Sequence, residues 1–305
     1  HAEVEGRHLT TNGCAELPRS FLYAPGNRAD LLAKVGHCGA DAIVIDLEDA
    51  VPAGAKAEAR HAAAQFLQSS PTMAGPAAFV RINAGPAGLD DLAALPLSAL
   101  AGIRLPKLED AETVVAVDRV LQAAAAPHIV IHPIIESVRG LYGMEQFVQA
   151  SRRIERYIFG AGDYVRDIGA EATPDRIATL HARARIVARS RLLGLKPPIA
   201  HVFSMIKDIA GLAEACRVDR AMGFFGRSCI HPSQVATVNA AFSYSADDIE
   251  RARRAVEAYA GAALAGRGAI VLDDGTFIDE AGLKRAQRVL EAAAQQAGEA
   301  AHEQR

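Results

Sequence analysis

Short runs of consecutive apolar residues recur along most of the chain, and stretches with helical periodicity separate them. The runs are continuous rather than alternating, which is typical of strands buried on both faces of a parallel sheet. Eight such runs, each followed by a helical pattern, predict an α/β fold, the closed (β/α)₈ TIM barrel. The predicted strands are residues 21–24, 42–47, 78–82, 102–105, 129–135, 157–159, 199–203 and 221–225.

The pattern changes after the last of these units. Residues 245–264 have helical periodicity with acids in the first turn. Two short strand-like segments then flank Asp274 and Gly275, the favoured pair for a tight hairpin turn, and a last helix is predicted from Glu280. We therefore predict a polar N-terminal arm over residues 1–18, the barrel over residues 19–242, and a small C-terminal α/β lid appendage over residues 243–305.

Two of the runs lead to a carboxylate, Glu136 after residues 129–135 and Asp163 after residues 157–159. Functional side chains collect at the carboxyl ends of the strands in parallel α/β folds, so we expect these two acids to lie close together. Two hard oxygen ligands, supplemented by water and substrate oxygens, suit Mg²⁺, with Mn²⁺ as an alternative ion. Taken singly, Glu136 also fits a helix cap and Asp163 a turn residue, but the pair favours a metal.

Other charged residues follow other strands, whereas the predicted strand interiors stay apolar. Glu48 and Asp49 fit either a helix cap or groups that hold the waters of a metal ion. Arg81 ends an apolar strand, and a buried arginine usually has a carboxylate or phosphate partner, for which Glu48 is a candidate. Lys107 suits an ion pair with Glu48 or Glu109 better than a Schiff base, because nearby acids raise the pKa of a lysine.

The loop after the first strand offers a site of another kind. Pro25, Gly26, Asn27 and Arg28 open a helix, where backbone amides together with Arg28 suit a phosphate group. The signal is weak by itself, because many such loops carry glycine and asparagine. His231, after the last predicted strand, is better interpreted as a structural histidine.

Composition narrows the functional classes. Half of the 305 residues are apolar, and the formal net charge of −3 gives no bulk electrostatic support for a nucleic-acid or membrane partner. The four cysteines show no zinc-site spacing, so we expect free thiols and a cytoplasmic protein. No apolar run approaches membrane length, and the first residues lack the apolar core of a signal peptide.

Seven strings occur in a fixed order along the chain. They are RSFLYAPGN (19–27), GADAIVIDLEDAV (39–51), FVRIN (79–83), LPKLED (105–110), IIES (134–137) with Gly140, FGAGDY (159–164) and GFFGRSCIHPSQ (223–234). Each is ordinary alone, whereas the ordered set is specific. By these strings the chain resembles the HpcH/HpaI aldolase/citrate lyase family, in particular its citrate lyase β-subunit-like and malyl- or citramalyl-CoA lyase branch.

The resemblance implies a Mg²⁺-dependent barrel that acts on coenzyme A thioesters. Glu136 and Asp163 would be the metal ligands. Glu48 and Asp49 would hold its waters, and Arg81 would be the catalytic arginine that faces the thioester.

The resemblance also implies a coenzyme A site and an exchanged lid. The expected coenzyme A-binding residues are Arg19, Pro25, Gly26, Asn27 and Arg28. The tail is similar to the lid of longer family members, in which a catalytic aspartate precedes an LKxAQ-like string, and that position is Asp279 here. In those relatives the lid reaches the active site of an adjacent subunit, so a homotrimer or homohexamer is implied.

The implied activity is a reversible carbon–carbon lyase that cleaves malyl-CoA or citramalyl-CoA to acetyl-CoA and glyoxylate or pyruvate. Ala200 and Met205 stand where the family commonly has acids, and Arg227 where lysine is frequent, which leaves the acyl group open. Three alternatives remain: a citryl thioester lyase subunit of a citrate lyase complex, an aldolase on free hydroxy-keto acids, and a barrel that only binds acyl-CoA.

Overall fold

The computed structural model describes residues 17–69, 75–264 and 266–303. Nearly all of the predicted N-terminal arm, and Cys14 with it, lies outside the described residues. Cys38, Cys216 and Cys229 are free thiols, as expected. The described chain forms two compact units, Leu17–Phe242 and a second that begins at Ser243.

Parallel strands form the centre of the first unit. They are β1 (Ser20–Pro25), β2 (Ala42–Asp46), β3 (Ala77–Arg81), β4 (Gly102–Leu105), β5 (Val130–Ile135), β6 (Ile158–Phe159) and β7 (Arg227–Cys229), in the sheet order β6-β5-β4-β3-β2-β1-β7. Ile199 forms a bridge to Ile158, and Ala200 forms one to Arg227. One extended segment therefore joins the two edge strands and fills the eighth place around the ring, and the predicted α/β barrel fold is confirmed.

Helices connect the strands and pack on the outer face of the sheet. They are α1 (Ala29–Val35), α2 (Lys56–Ser69), α3 (Pro86–Ala94), α4 (Ala111–Ala123), α5 (Val138–Ala150), α6 (Ala161–Asp167), α7 (Leu180–Leu192), α8 (Ile209–Met222) and α9 (Val235–Phe242). Side-chain caps determine where some of them begin: the side chain of Asp110 accepts from the N–H of Thr113, and that of Ser137 from the N–H of Gly140. Ser137 thereby starts α5 directly after Glu136.

Two predicted strands differ from the observed ones. The seventh, residues 199–203, contributes only the bridges at Ile199 and Ala200. The eighth, residues 221–225, is wrong, because Ala221 and Met222 complete α8. Gly223 ends this helix with a φ of 105°, and the chain extends again only at β7.

Alternate residues of the strands fill the barrel interior. Its apolar part consists of Phe21, Ala42, Val44, Phe79, Ile134, Ile158 and Ile199. Successive side chains of a strand point to opposite faces, so residues two positions apart point the same way. Glu136, two residues after Ile134, therefore continues an inner row. The inner side chains change from apolar to polar towards the carboxyl ends of the strands.

Buried ionisable residues interrupt the apolar interior, so the prediction that the strand interiors stay apolar is wrong. Arg104 on β4 is completely buried and His132 on β5 is 1% exposed. The ring of Phe79 stacks on His132 with centroids 4.9 Å apart. The guanidinium carbon of Arg104 lies 4.5 Å from the ring centroid of Phe21. Aromatic faces thus surround both polar groups.

The second unit contains two helices and a hairpin, as predicted. They are α10 (Ala246–Leu264), the antiparallel strands β8 (Ile270–Val271) and β9 (Phe277–Ile278), and α11 (Glu280–Glu303). Gly275 has a φ of 83° in the hairpin turn, a conformation that glycine adopts readily. Ala252, Ala255 and Ile278 belong to a small apolar cluster of this unit. Across the part of the chain that the structure describes, no helix is long and apolar enough to span a bilayer.

Candidate active site

Two carboxylates meet at the carboxyl ends of β5 and β6. Glu136 directly follows β5 and is 7% exposed, and Asp163 lies in the first turn of α6. Both residues line the same cavity, and they are close enough for the charge of Asp163 to raise the pKa of Glu136. This approach depends on Gly160, because a Cβ there would lie 2.6 Å from Cβ and 2.7 Å from Oε2 of Glu136. The structure therefore brings the two predicted metal ligands together.

The two carboxylates form an electrostatically unfavourable pair. Burial raises the pKa of Glu136 to about 7, and the negative charge of Asp163 acts in the same direction. The backbone N–H of Lys107 opposes this rise by donating a 2.5 Å hydrogen bond to Oε1 of Glu136. Two close carboxylates repel each other when both are ionised, and a shared proton or a cation relieves the repulsion.

The donor chemistry fits Mg²⁺. Two hard carboxylate oxygens at the edge of a cavity leave the remaining coordination positions to water and substrate oxygens, which is how Mg²⁺ is usually bound. The residues that the structure describes contain no group of three or more His, Cys, Asp or Glu side chains arranged for a metal. Among the described residues, Glu136 and Asp163 are therefore the candidate ligands. The exposed Arg166, 2.5 Å from Oδ1 of Asp163, pairs with one of these oxygens.

Acids at the end of β2 hold Arg81. The register of β2 and β3 places Arg81 opposite Asp46, and Nε and Nη2 of Arg81 donate to the two oxygens of Asp46 at 2.7 and 2.5 Å. Nη1 lies 3.0 Å from Oε2 of Glu48 and 3.6 Å from Oδ2 of Asp49. Burial alone lowers the pKa of Arg81, but the hydrogen bonds and charges of these acids outweigh it and raise the pKa. The guanidinium therefore stays charged.

Lys107 links the two groups of acids. Its ammonium forms an ion pair with Glu48 and lies 3.2 Å from Oδ1 of Asp49, while its backbone N–H binds Glu136. Burial by itself lowers the pKa of Lys107, but Glu48 and Asp49 together raise it above its ordinary value. A lysine that remains protonated is a poor nucleophile for Schiff-base formation. This agrees with the sequence-based expectation that Lys107 forms an ion pair rather than a Schiff base.

The carboxylates of Glu48 and Asp49 differ in environment. Burial raises the pKa of Glu48 despite the opposing effect of Arg81 and Lys107. Burial also acts to raise the pKa of Asp49, but its hydrogen bond with Glu48 and the charge of Arg81 outweigh it, so the pKa is lowered. The pKa values of these two neighbouring acids are therefore shifted in opposite directions.

The loop predicted to bind coenzyme A borders the cavity at one residue. Pro25 lines the cavity, and Gly26 packs so closely on the end of β2 that a Cβ would lie 2.7 Å from a leucine side chain. Asn27 is half-buried with its side-chain oxygen unpaired. Arg28 is exposed and forms a 2.7 Å ion pair with Asp30.

Arg19 lies at the opposite end of the first strand. It precedes β1, at the amino end of the barrel, where Nε lies 2.8 Å from Oδ2 of Asp41. The structure does not bring Arg19 together with the carboxyl-end residues, and its side chain is occupied by the ion pair.

Asp279 belongs to the second unit. Its Oδ1 accepts a 2.8 Å hydrogen bond from the backbone N–H of Gly282 at the start of α11. In this position it acts as the helix cap, and its predicted catalytic role stays a prediction.

A cavity of about 680 Å³ lies at the carboxyl ends of the barrel strands. Its walls include Tyr23, Pro25, Asp46, Asp49, Arg81, Glu136, Gly160, Asp163, Arg166, His201 and Ser228. This volume is in the range of small-molecule sites and admits a small acid with the reactive end of a thioester. The predicted metal ligands and Arg81 thus share one cavity.

The sequence was compared with known protein families. The profile of the HpcH/HpaI aldolase/citrate lyase family matches residues 19–232. The chain belongs to this family. A citrate lyase subunit beta-like protein of Deinococcus radiodurans is 37% identical over 287 residues, covering 92% of this chain and 98% of that protein. The resemblance derived from the seven strings is therefore confirmed.

Further relatives have more specific descriptions. A (3S)-malyl-CoA thioesterase of Cereibacter sphaeroides is 32% identical over 261 residues, with 84% of this chain and 87% of that protein covered. The crystal structure of CitE from Mycobacterium tuberculosis in complex with magnesium, acetoacetate and coenzyme A has a TM-score of 0.75 at 28% identity, covering 92% of this chain and 99% of that one. This chain is similar to both of these proteins.

The roles of two residues of the site were not predicted from the sequence. Asp46 is the main partner of Arg81, and its position two residues before Glu48 on the inner row of β2 was the available signal. Gly160 is the first glycine of FGAGDY, and no pattern in the sequence distinguishes it from Gly162.

The positions that depart from the family pattern have structural roles or face outward. Ala200 forms the bridge that joins the barrel edges, and Met205 is 64% exposed. Arg227 is completely buried and forms an ion pair with Asp219. None of these three residues lines the cavity of about 680 Å³.

Proposed function

We propose that this protein is a Mg²⁺-dependent carbon–carbon lyase that cleaves a malyl-CoA or citramalyl-CoA type thioester reversibly to acetyl-CoA and glyoxylate or pyruvate. The observation that carries the proposal is that Glu136, Asp163 and Arg81 line one cavity at the carboxyl ends of the strands. The relatives described as citrate lyase subunit beta-like and as CitE bound to magnesium and coenzyme A support the same chemistry.

The charged residues that the sequence predicts for the site have the following proposed tasks. Mg²⁺ held by Glu136 and Asp163 would supply a Lewis acid for the carboxylate and hydroxyl oxygens of the substrate. Glu48 and Asp49, fixed by Lys107, would accept hydrogen bonds from waters beside the ligands. Arg81 would stabilise the negative charge that develops on the thioester oxygen, a preorganised electrostatic role.

The proposed reaction is a retro-Claisen cleavage. The substrate hydroxyl passes its proton to a water molecule in the cavity, its C–O bond becomes a carbonyl, and the adjacent C–C bond breaks. The electron pair of that bond passes to the thioester as an enolate, which takes a proton at carbon to become acetyl-CoA. Asp279 is the proposed proton donor, and in the condensing direction it would remove the same proton.

The coenzyme A site and the assembly remain proposals of the same kind. Pro25 and Arg28 are the predicted coenzyme A residues with the best placement, because Pro25 lines the cavity and Arg28 is exposed. Arg19 is left out of this site, since it pairs with Asp41 at the amino end. A homotrimer or homohexamer would bring Asp279 of one chain to the cavity of another. A cytoplasmic location likewise stays a prediction.

Thioester hydrolysis is a second candidate activity. It is favoured by the relative described as a (3S)-malyl-CoA thioesterase. The match covers 87% of the length of that protein. The two activities differ in products, because a thioesterase releases free coenzyme A and the intact hydroxy acid, whereas a lyase releases acetyl-CoA and a keto acid.

A substrate panel tests the proposal. Malyl-, methylmalyl-, citramalyl- and citryl-CoA are incubated with Mg²⁺, and keto acid, acyl-CoA and free thiol are followed separately. We expect keto acid release from malyl- or citramalyl-CoA and its loss in Glu136→Gln and Asp163→Asn. Glu112→Gln, which removes an exposed carboxylate of α4, serves as the control. Near-normal Mg²⁺-dependent cleavage by both variants, or cleavage of free hydroxy-keto acids alone, would contradict the proposal.

A further inference from the structure

Arg104 is a cation without an acidic partner inside the barrel. It is completely buried, and no carboxylate in the described ranges forms an ion pair with it. Its Nε and Nη2 have no hydrogen-bond partner. An unneutralised buried charge is costly and is rarely kept by a core that apolar side chains can fill. Its retention calls for a role outside packing.

The polar contacts of Arg104 go to two hydroxyl groups across the barrel. Nη1 donates to the phenol oxygen of Tyr23 at 2.8 Å and to Oγ of Ser228 at 2.9 Å. Tyr23 is on β1 and Ser228 on the adjacent β7, whereas β4 is three places away from β1. The guanidinium therefore crosses the interior and ties together two hydroxyls of neighbouring strands.

Tyr23 and Ser228 both line the cavity that contains Glu136 and Asp163. Each accepts from Arg104, so its own hydrogen is directed elsewhere, and within the described part of the chain neither hydroxyl donates to a protein group. A second cation also lies near Tyr23, since the guanidinium carbon of Arg81 is 5.3 Å from its ring centroid. The charge of Arg81 is balanced by Asp46 and Glu48, whereas that of Arg104 is not.

We propose that Tyr23 and Ser228 form a carboxylate-binding subsite in this cavity, with Arg104 as the positioning residue behind them. Arg104 orients both hydroxyls as donors, and its uncompensated charge strengthens them towards an anionic oxygen. The ligand chemistry is a carboxylate of a small keto acid, either the one next to the keto group or a second one further along. Only the choice of a keto acid as ligand rests on the proposed function.

Direct binding tests the subsite without turnover. Pyruvate, with one carboxylate, and oxaloacetate, with two, are titrated calorimetrically into the full chain with Mg²⁺. We expect Tyr23→Phe and Ser228→Ala each to weaken binding about 10- to 100-fold, the effect of losing one hydrogen bond to a charged group. Ser190→Ala removes a buried hydroxyl from α7, away from the cavity, and should leave both affinities unchanged.

A comparison of pyruvate with oxaloacetate shows which carboxylate of the keto acid the subsite binds. Weaker binding of both acids assigns the subsite to the carboxylate next to the keto group. Weaker binding of oxaloacetate alone assigns it to the second carboxylate and favours dicarboxylic keto acids as products. Wild-type affinity for both acids in both variants would overturn the proposal, and so would the absence of binding by the wild-type protein.

Arg104→Met separates positioning from packing. Methionine fills much of the volume without the unpaired charge, so we expect an equal or higher unfolding midpoint together with at least about 10-fold weaker binding of the acid. A variant that keeps full affinity shows that Arg104 only fills the core. If Arg104→Met does not fold, the Tyr23 and Ser228 variants still decide the subsite. If the protein cleaves none of the thioesters, the proposed function is wrong. The binding measurements still decide whether the subsite exists.

Discussion

Lys107 donates its backbone N–H to Oε1 of Glu136 at 2.5 Å, and it does so from a φ of 49°. This backbone conformation is uncommon for residues with a Cβ and is found preferentially at functional sites. The same residue directs its ammonium to Glu48 and Asp49. Lys107 thus fixes the carboxylate of Glu136, a predicted metal ligand, with its backbone and the neighbouring acids with its side chain.

The raised pKa of Lys107 predicts that no Schiff base forms. Borohydride added with pyruvate or glyoxylate should leave activity and mass unchanged, because the ammonium is not available as a nucleophile. Intact-protein mass spectrometry checks for a reduced adduct. An adduct located at Lys107 would contradict this prediction and point to metal-independent aldolase chemistry.

Gly160→Ala should weaken Mg²⁺ binding about 10- to 100-fold, in the range found for disturbed ligand geometry. The new Cβ would lie 2.6 Å from Cβ of Glu136, so the carboxylate has to move. Gly162→Ala is the matched control from the same turn, where an added Cβ has nothing within 4 Å. Mg²⁺ titration by calorimetry measures both, and equal affinities in the two variants would contradict the role of Gly160.

Asp46→Asn should destabilise the protein by about 3 kcal/mol, because it leaves Arg81 without its main partner in a buried site. Replacing both residues, in Arg81→Met with Asp46→Asn, should destabilise less than the sum of the two single changes. Urea unfolding of the four proteins gives the coupling. Additive effects would show that the Asp46 pair contributes little beyond what Glu48 already provides.

An exchanged lid predicts complementation between inactive chains. Glu136→Gln lacks a metal ligand and Asp279→Asn lacks the proposed proton donor, so each alone should be nearly inactive. A mixed oligomer that is refolded or co-expressed should regain activity, because some cavities of the Asp279→Asn chain receive an intact Asp279 from a neighbouring chain. Absence of recovery in a verified mixed oligomer would place Asp279 and the cavity in the same chain, or remove Asp279 from catalysis.

Acid should destabilise the barrel through His132 and Glu155. Burial lowers the pKa of His132 to about 4, although its ring nitrogen lies 3.0 Å from Oε2 of Glu155. The unfolded chain takes up this proton near pH 6.5, so stability falls between pH 6.5 and 4 by about 3 kcal/mol.

Glu155 adds to the acid sensitivity at lower pH. Burial alone raises its pKa, but the hydrogen bonds with His132 and Lys196 outweigh it and lower the pKa to about 2. Its stabilisation is present above pH 4.5 and is lost as the pH falls towards 2. Glu136, with its raised pKa, acts in the opposite direction between pH 7 and 4.5, so the measurement uses Glu136→Gln as the background. In this background the urea midpoints at pH 7, 5.5 and 4.5 should decline, and a further His132→Gln change should flatten the decline above pH 4.5. An unchanged slope in this variant would show that another group is responsible.

Continuous apolar runs were sufficient to predict six strands near their observed places, since a strand buried on both faces leaves no other pattern. The last two strand positions of the barrel were harder to predict. A two-residue bridge at Ile199 and Ala200 carries almost no signal, and the apolar residues Ala221 and Met222 suit a helix as well as a strand. Only Gly223, with its positive φ, separates the two elements.

The sequence by itself determined the family, the barrel and the identity of the two metal-ligand candidates, because acids directly after buried strands must come to one edge of the sheet. Tertiary structure decided the partners. Asp46 rather than Glu48 is the main partner of Arg81, since the β2–β3 register places them opposite each other. Arg104 meets Tyr23 and Ser228 only because the sheet closes, which brings residues 81 and 124 positions apart in the chain within hydrogen-bonding distance.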